Sequence, residues 1–393
     1  MMAAISAAQC GRQVVLLEAG SRLGRKILVS GDGRCNLTNV DADSARHYHG
    51  GRPPLARHVL RQFSVAATLA LFRSLGVETQ EESRGRLFPR SGQARSIVAV
   101  LADRLAVSGV RTVLEARVHR VRSLAGAFEL DSSAGTWHGR RVVFATGGPS
   151  APQLGADRSG IDLLGQLEHR VTELLPGLVP LVSPDPWVRR TQGARVHATV
   201  SVERDGACPV ADSGELLFTS YGISGLAVLN LSLLLVPLLR GSPREVVVDL
   251  FPGSSCEELS ESLKRRWQDN PHRTLAASFL GLLADRVAAA RIGSLGLSPS
   301  APVRDLTKQE RWRLAAGLHA WRIPVTGPRS WEQAEVTIGG IQTREVHPET
   351  LESHRVPGLY LAGEMLDVHG DLGGYNLQWA WSSGWVAGRA AAS

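Results

Sequence analysis

The first twenty residues change from a helical to an extended hydrophobic pattern. Alanines at helical spacing over residues 3–8 predict a helix whose small face packs against a sheet, and Gly11 suits the turn that follows. Residues 13–17 predict a short buried strand that ends at an acid, Glu18. A strand that ends in a carboxylate is typical of the second strand of a dinucleotide-binding fold, where the carboxylate accepts ribose hydroxyls.

Helix and strand patterns alternate over the rest of the first 170 residues. Helical periodicity covers residues 54–75 and 94–107, and strand patterns cover 111–122 and 127–131. A short apolar run at 142–145 predicts another buried strand, which opens into a pair of glycines. This alternation favours the α/β class.

The pattern becomes mostly extended between residues 171 and 252, where short runs predict a small β domain or barrel. Residues 256–318 are charged and helical, and Ser255 suits the N-cap of the first helix. Extended runs then return, and a glycine-rich region begins at Pro357. The chain therefore divides into α/β, extended, helical and again α/β parts.

The charge pattern bears on possible partners. The 393-residue chain has a net charge of +7, but only Lys26, Lys264 and Lys308 among its 44 basic residues are lysines. Scattered arginines without interleaved aromatic residues do not form the pattern of a nucleic-acid-binding surface. We therefore predict no nucleic-acid partner.

Cysteine spacing and hydropathy narrow the class further. The four cysteines form no CxxC pair, which predicts neither a disulfide framework nor a zinc site, and we expect no bound metal. No secretory signal is recognisable at the N-terminus. The longest apolar segment, 225–239, contains Asn230 and Pro237 and is too short to span a bilayer. We expect a cytoplasmic protein without a membrane span.

A glycine- and arginine-rich segment, SRLGRKILVSGDGRCNLTN, follows Glu18 at residues 21–39. Its glycines let the main chain approach a ligand, and its cations favour an anion. The alternative is a surface β-hairpin with Gly31-Asp32-Gly33 as its turn. Its position directly after a ribose-type acid favours a ligand-binding loop.

The densest motif is GLYLAGEMLDVHGDLGGYNLQWAWSSGWVAG at residues 358–388. It predicts a strand at 359–362, a glycine-rich loop and a helix from about Asn376. Gly373 and Gly374 directly before a helix would gather main-chain N–H groups and the positive end of the helix dipole at one spot. Because a reduced flavin is anionic at N1 and O2, this favours a flavin site over an ordinary glycine-led helix start.

Four segments carry a resemblance to a known family. In chain order they are LLEAGSRLGRKILVSGDGRCNLTN, FATGGPSAPQLGADRSG, GELLFTSYGISGLAVLNLS, and AEVTIGGI with the C-terminal motif. In this order they resemble the BaiN-like (aminoacetone-oxidase-like) bacterial FAD-dependent oxidoreductases. The resemblance covers nearly the whole chain. It implies a Rossmann-type, doubly wound FAD-binding domain with an inserted β-barrel-like domain and a helical subdomain. The implied boundaries are 1–170 and 335–393 for the FAD-binding domain, 171–254 and 319–334 for the β domain, and 255–318 for the helical subdomain.

The resemblance also implies non-covalently bound FAD and usually NADH or NADPH as the electron donor. Glu18 matches the acid that binds the adenosine ribose, and Val118 lies in the strand that meets the adenine. The remaining implied positions are Gly24, Arg25 and Lys26 beside the pyrophosphate, Ser30, Gly31, Gly33, Arg34, Cys35 and Asn36 near the flavin, Ala145, Thr146 and Gly147 at a strand end, and Gly363, Glu364, Gly373, Gly374, Tyr375, Asn376 and Leu377 in the C-terminal motif.

One departure concerns the start of the chain. The glycine fingerprint GxGxxG should begin about 20 residues before the ribose acid, and that place falls before Met1. Members of the family commonly begin GGGAAGLMAAI, whereas this chain reads only MMAAI, so the first strand and glycine loop are missing. We expect a truncated gene model; the alternative is a true remnant that binds no FAD and acts only by binding.

Proton transfer accompanies flavin hydride chemistry, and three side chains in these motifs are candidates for it. They are Tyr221, Asp367 and His369. Members often carry DVDG where this chain carries DVHG, so any proton relay through His369 differs here. Cys35 has no partner cysteine nearby and is expected to be a packing residue rather than a redox thiol.

Together these observations predict an FAD-dependent oxidoreductase that transfers hydride from NADH or NADPH to a C=C or C=O bond of a small organic substrate. A flavin amine oxidase that uses oxygen is the alternative within enzymes. The substrate and the oligomeric state do not follow from the sequence.

Overall fold

The structure is a computed structural model that describes residues 1–51, 53–204 and 207–393, and these form two compact units. The first unit combines residues 1–175 with residues 335–393, and the second contains residues 176–334. Within the described ranges, no helix combines the length and the apolar character needed to cross a membrane.

Helices and strands alternate along both units. The helices are α1 Met2–Gln9, α2 Arg25–Gly33, α3 Pro53–Gln62, α4 Val65–Ser74, α5 Ala94–Val107, α6 Ser159–Gln166, α7 Pro186–Arg190, α8 Leu226–Leu238, α9 Cys256–Asp269, α10 Asp285–Ser294, α11 Lys308–His319 and α12 Tyr375–Ala391. The strands are β1 Val15–Leu17, β2 Thr38–Asn39, β3 Tyr48–Gly50, β4 Thr79–Glu82, β5 Arg86–Pro89, β6 Arg111–Val113, β7 Val118–Leu124, β8 Ala127–Ser132, β9 Gly135–Gly139, β10 Val142–Phe144, β11 Leu175–Gly177, β12 Leu181–Val182, β13 Arg195–Arg204, β14 Ala207–Phe218, β15 Gly222–Ser224, β16 Arg244–Asp249, β17 Trp321–Val325, β18 Gly327–Pro328, β19 Val336–Ile338, β20 Leu359–Leu361 and β21 Val368–Gly370.

Two pairs of parallel strands position the loops of interest in the first unit. β1 pairs with β6, with Val15 opposite Arg111, and β10 pairs with β20, with Val142 opposite Leu359. The carboxyl ends of parallel strands lie at the same edge of a sheet. The segments that follow β10 and β20 therefore meet, although they are far apart in the sequence.

Helix α1 packs on α12 and not on a sheet as predicted. A Cβ at Gly388 would overlap the main-chain carbonyl of Ala3, so only glycine permits the observed approach of the two helices. The Ser6 hydroxyl also donates a hydrogen bond to the Trp385 carbonyl oxygen at 2.9 Å. The alanines of α1 do form a close-packing face, but the glycines of α12 provide the matching surface.

The segment predicted as a ligand-binding loop contains helix α2. Gly24 begins this helix with a φ of 71°, and the helix is interrupted at Ser30, Gly31 and Asp32, whose dihedral angles are not helical. Cys35 then donates its main-chain N–H to the Ser30 carbonyl oxygen at 2.9 Å. The alternative of a β-hairpin with its turn at Gly31 is therefore wrong.

The second unit contains an antiparallel sheet of seven strands among the described residues, in the order β17-β16-β13-β14-β15-β12-β18. Its longest pairing joins β13 and β14, with Val196 opposite Leu216. Helix α8 packs on this hairpin within a region that was predicted as extended. Because α8 is apolar on nearly every side, it shows no amphipathic period that would identify it as a helix.

The charged part of the second unit is helical, as predicted for residues 256–318, and contains α9, α10 and α11. Ser255 caps α9: its hydroxyl accepts from the Glu258 N–H at 3.1 Å, and the Glu258 carboxylate accepts from the Ser255 N–H at 2.7 Å. This reciprocal pair satisfies two N–H groups that the helix itself leaves free. The predicted N-cap is confirmed.

A small antiparallel pairing in the first unit joins β3 and β21. Its register places His369 directly opposite His49. A three-stranded sheet of β2, β5 and β4 lies in the same unit, with Thr38 opposite Leu87. These short strands determine the positions of several polar side chains discussed below.

Candidate active site

The ends of β10 and β20 open onto unfilled space. Ala145 and Thr146 follow β10 and are exposed. A Cβ placed on Gly363, which follows β20, would meet no atom within 4 Å, and one on Gly147 would lie 3.9 Å from its nearest neighbour, a Glu364 carboxylate oxygen. The predicted strand-end residues therefore come together around space that a ligand can occupy.

Glu364 is held at both carboxylate oxygens. Oε2 accepts a hydrogen bond from the Lys26 ammonium at 2.8 Å, and Oε1 accepts from the Thr337 main-chain N–H at 2.7 Å. The preceding Gly363 N–H donates to the Ser383 hydroxyl at 2.9 Å. The ion pair joins the N-terminal loop to the C-terminal motif, and the sequence did not indicate this pairing.

The three cations of the N-terminal loop that were predicted to bind the cofactor, Arg25, Lys26 and Arg34, all contact protein groups. Besides the Lys26–Glu364 pair, Arg34 forms an ion pair with Glu82 at 2.7 Å. The Arg25 guanidinium donates to the Leu154 carbonyl oxygen at 3.3 Å and to the Ser21 hydroxyl at 3.2 Å. Of these three cations, Lys26 is the one that pairs with a residue at the open strand ends, Glu364.

The glycines of this loop are needed for packing within the protein. A Cβ on Gly24 would lie 2.7 Å from a Val98 methyl group, and one on Gly31 would lie 2.9 Å from the Asn36 nitrogen. Both residues, like Gly33, also have positive φ values. These three glycines are therefore explained by the geometry of the turn. Ser30 accepts a hydrogen bond through its carbonyl oxygen, and its hydroxyl donates to the Ile27 carbonyl oxygen at 2.8 Å.

Cys35 and Asn36 end the loop. Cys35 is fully buried, and burial raises the pKa of its thiol to about 12, although a hydrogen bond with Ser30 opposes this shift. Such a thiol stays protonated at neutral pH, which agrees with the predicted packing role. The side-chain oxygen of Asn36 is buried without a hydrogen-bond partner.

Glu18 and Val118 occupy the other predicted contact points. Glu18 follows β1, and its carboxylate accepts from the Gly20 main-chain N–H at 2.7 Å. Val118 is half-buried at the start of β7, opposite Ser132. The Glu18 carboxylate therefore bonds through Oε1 within its own turn.

The loop before α12 is held by amide side chains. Asn376 accepts from the Gly370 N–H at 2.7 Å and donates to the Gly370 carbonyl oxygen at 2.8 Å, while Asn39 donates to the Gly373 carbonyl oxygen at 3.0 Å. A Cβ on Gly374 would lie 2.5 Å from the Thr38 main chain. Gly374 thus permits close approach to β2, and the first turn of α12 has no side-chain cap.

Of the predicted cofactor contacts Tyr375 and Leu377, Tyr375 is buried and Leu377 is half-buried. Tyr375 is 7% exposed and stacks on the His47 ring with centroids 4.3 Å apart. Burial raises the pKa of its hydroxyl to about 12, and the nearby carboxylates of Asp41 and Asp371 act in the same direction. Leu377 packs against a hydrophobic cluster that includes Trp381.

A cluster of imidazoles and carboxylates lies beside this loop and was not predicted. The Asp371 carboxylate contacts His47 Nδ1 at 2.8 Å and His49 Nε2 at 2.7 Å, and His47 Nε2 contacts Asp41 at 2.9 Å. Burial raises the pKa of Asp371, but the hydrogen bonds from His49 and His47 outweigh it and lower the pKa overall. The sequence signal for this cluster was the pair of histidines in HYHG, residues 47–50.

His369 faces this cluster from β21. It is 4% exposed, its ring centroid lies 5.8 Å from that of His49, and its Nδ1 is buried without a hydrogen-bond partner. Burial lowers its pKa to about 4, the neighbouring His49 lowers it further, and Asp371 and Glu364 act in the opposite direction. His369 is therefore a neutral imidazole at neutral pH.

Asp367 directly precedes β21, the strand that contains His369, and it borders a cavity. Burial raises the pKa of its carboxyl, although a hydrogen bond from Thr172 opposes the shift. A cavity of about 180 Å³ adjoins it, lined by Gly51, Thr172, Gln342, Thr343, Arg344 and Asp367.

The third predicted acid–base residue, Tyr221, belongs to the second unit. Its carbonyl oxygen accepts from the Ser183 N–H at 2.9 Å, and the Arg329 guanidinium lies 4.2 Å from its ring centre. Asp367 and His369 belong to the first unit.

The first unit fits FAD on its own geometry. The space beside Gly363 is open, since a Cβ there would meet no atom within 4 Å, and the buried, unpartnered Asn36 Oδ1 and His369 Nδ1 require polar partners that the described protein atoms do not supply. The uncapped start of α12 adds main-chain N–H groups and a positive dipole end. In the described ranges, no group of three or more His, Cys, Asp or Glu side chains has metal-binding geometry.

Comparison with known proteins identifies relatives over the full length. The family described as HI0933-like protein Rossmann domain matches residues 1–390. The chain is 35% identical to the 3-dehydro-bile acid delta(4,6)-reductase of Clostridium scindens, with 100% of this chain and 96% of the relative covered. It is 33% identical to the ribosomal RNA dihydrouridine synthase of Escherichia coli, with 98% and 94% covered.

One solved structure supports the fold. The 3-ketosteroid delta1-dehydrogenase of Sterolibacterium denitrificans, in complex with 1,4-androstadiene-3,17-dione, matches with a TM-score of 0.51 and 11% identity, covering 100% of this chain and 97% of that chain. At this identity the match concerns the fold alone.

Proposed function

Because the chain belongs to the HI0933-like Rossmann-domain family, the BaiN-like flavin-dependent oxidoreductases, we propose that it is an FAD-dependent reductase. It takes hydride from NADH or NADPH and reduces a small organic substrate. The observation that carries this proposal is the open space at the ends of β10 and β20, bordered by the anchored Glu364. When bound, FAD supplies the two-electron hydride chemistry that side chains lack.

Several side chains would hold the cofactor. Glu18 would accept hydrogen bonds from ribose hydroxyls through its carboxylate, and Lys26 would hold the anionic pyrophosphate near Glu364. Gly147 and Gly363 leave room for the ring system, and the start of α12 would stabilise its negative charge. Asn36 would satisfy its unpartnered oxygen by accepting from a ring N–H.

A C=C bond is favoured over a C=O bond as the group reduced. The two relatives named above are a delta(4,6)-reductase and a dihydrouridine synthase, and both names describe addition of hydrogen to an unsaturated substrate. Such a reduction also requires one proton, for which we retain His369, Asp367 and Tyr221 as candidate donors.

The proposal is tested with purified protein incubated with FAD. We expect the protein to retain FAD through gel filtration and to release it on denaturation. Anaerobic NADH or NADPH should then bleach the flavin absorption, and a 3-oxo-4,6-diene bile acid should restore it. A protein that retains no FAD would refute the proposal, and rapid reoxidation by oxygen with an amine donor would select the oxidase alternative.

A uridine in ribosomal RNA is a second candidate substrate. The charge pattern of the sequence predicts no nucleic-acid partner, but the exposed Arg57 and Arg61, one turn apart on α3, would suit a phosphate backbone. The Escherichia coli relative carries this activity in its name. Reduced protein incubated with ribosomal RNA should then yield dihydrouridine by mass spectrometry, whereas the small-molecule proposal predicts none.

A further inference from the structure

His369 is a buried imidazole with an unpartnered ring nitrogen. It is 4% exposed, and its Nδ1 is buried without a hydrogen-bond partner in the described part of the chain. A buried polar group left in this state costs about 1–3 kcal/mol, so such groups are normally paired. By contrast, the equally buried His169 contacts the Leu164 carbonyl oxygen at 3.2 Å and the Ser353 hydroxyl at 2.7 Å. His369 is therefore placed to pair with something other than protein.

His49 is the only imidazole across the β3–β21 pairing from His369 in the described register. Its side chain is 42% exposed, and its Nε2 contacts Asp371, whose other oxygen contacts His47. The ring centroids of His49 and His369 are 5.8 Å apart. One water molecule can bridge ring nitrogens at such a separation. His49 is therefore both exposed to solvent and adjacent to the buried His369 ring.

Burial favours the neutral state of His369 against the two nearby carboxylates. His49, Asp371 and Glu364 are the titratable groups that act on it, and burial lowers its pKa to about 4. A neutral imidazole carries one N–H and one lone pair. It can therefore accept a proton at one nitrogen while it releases the proton from the other.

We propose that His49 and His369 form a proton relay from solvent to the reaction site, with Asp371 as the residue that positions His49. This rests on the function proposed above, in which a C=C bond takes up a hydride from reduced FAD at one carbon and a proton at the other. In one concerted transfer, the N–H bond at one ring nitrogen of His369 breaks as the second C–H bond forms, its other ring nitrogen accepts a proton from His49, and His49 takes one from solvent. His369 thus stays neutral, and the substrate gains two electrons and two hydrogens.

The relay is tested by hydrogen exchange in FAD-incubated protein labelled with ¹⁵N-histidine. The His369 ring signals are identified by their loss in His369→Asn. We expect the His369 N–H to exchange with water faster than that of His169, and His49→Gln to slow it about tenfold. Asp371→Asn should slow it to a smaller extent, because His49 remains but is no longer held. Should Asp371→Asn fail to fold, His49→Gln, at an exposed site, decides the question.

His58→Gln is the matched control, because His58 is exposed on α3 and its ring Nδ1 contacts the Pro54 carbonyl oxygen of the same helix at 2.8 Å. The relay is wrong if His369 exchanges no faster than His169, or if His49→Gln leaves the rate equal to that in His58→Gln. This readout requires no substrate. A protein that lacks reductase activity would therefore refute the proposed function while the exchange rates still decide the relay.

Discussion

At the residue scale, Glu364 shows how a local motif acquires a role from distant partners. The Gly-Glu pair after β20 was predicted from the C-terminal motif, but the groups that hold its carboxylate, Lys26 and the Thr337 N–H, come from two other segments. Charge-assisted hydrogen bonds of this kind fix both side chains more firmly than neutral ones. Glu364 therefore presents a fixed carboxylate edge to the space beside Gly147.

We expect Glu364→Gln to weaken FAD binding about tenfold, because the amide has one acceptor oxygen for two donors, so that its NH₂ group faces either the Lys26 ammonium or the Thr337 N–H. Titration of the purified protein with FAD, followed by quenching of flavin fluorescence, measures this change. Glu261→Gln is the control, since it removes an exposed pairing with Lys264 in the second unit. Equal affinities for the two variants would contradict the assignment of Glu364.

His369 also makes a pH-dependent contribution to stability. Its folded-state pKa is lowered from 6.5 to about 4, so as the pH falls below 6.5 the unfolded chain takes up a proton that the folded state refuses. Stability present at neutral pH is therefore lost between pH 6.5 and about 4. The shift corresponds to about 3 kcal/mol. Urea unfolding should show a steeper acid loss for the wild type than for His369→Asn; parallel curves would contradict this prediction.

At the element scale, the position of α12 depends on contacts that its own sequence only partly reveals. Gly388 allows α1 to approach, Gly374 allows β2 to approach, and Gln378 accepts from the buried Thr38 hydroxyl at 2.7 Å. The helix therefore links the start of the chain, the N-terminal loop and the open strand ends. These two glycines are required because neighbouring main-chain atoms leave no room for a Cβ, and not because the helix must be flexible.

We expect Gly388→Ala to destabilise the protein by about 2–3 kcal/mol, because the new Cβ would overlap the Ala3 carbonyl and force α1 away. Gly165→Ala is the matched control: this glycine lies in α6, and a Cβ there would meet no atom within 4 Å. That substitution should leave stability unchanged or raise it by about 0.5–1 kcal/mol, since alanine favours helix. Chemical denaturation of both variants measures the difference, and equal effects would argue against close α1–α12 packing.

At the scale of the whole molecule, the two units contain different parts of the predicted chemistry. The proposed FAD contacts all belong to residues 1–175 and 335–393. The second unit, with its seven-stranded sheet and capped helices, contributes Tyr221 to the list of candidates. We therefore expect FAD binding to change the local stability of the first unit more than that of the second.

We expect saturating FAD to slow amide hydrogen exchange in the first unit at α2, at residues 145–147 and 363–364, and at the start of α12, because opening of these segments would require loss of the ligand. The β13–β14 hairpin of the second unit provides the internal reference and should change little. Exchange measured by mass spectrometry with and without FAD tests this. Protection confined to the hairpin would contradict the placement of the site.

Family and local elements could be predicted from the sequence because they depend on short-range patterns. The resemblance drawn from four motifs is confirmed by the family match over residues 1–390 and by 35% identity to a full-length relative. The strand at Val142–Phe144, the helix from Tyr375 and the cap at Ser255 agree with the patterns that predicted them. Helix α8 was missed because a uniformly apolar segment carries no period.

The sequence by itself determined the family, some of the elements, such as the strand at Val142–Phe144 and the helix from Tyr375, and glycines at which the main chain must turn. Only the tertiary structure decided that Lys26 pairs with Glu364, that α1 packs on α12, and that His49 and His369 face each other beside Asp371. These are contacts between segments far apart in the chain, and hydrophobic periodicity reports only which face of an element is buried, not what covers it. Partner choice among polar side chains is set by strand register and loop geometry, which appear only when the chain is folded.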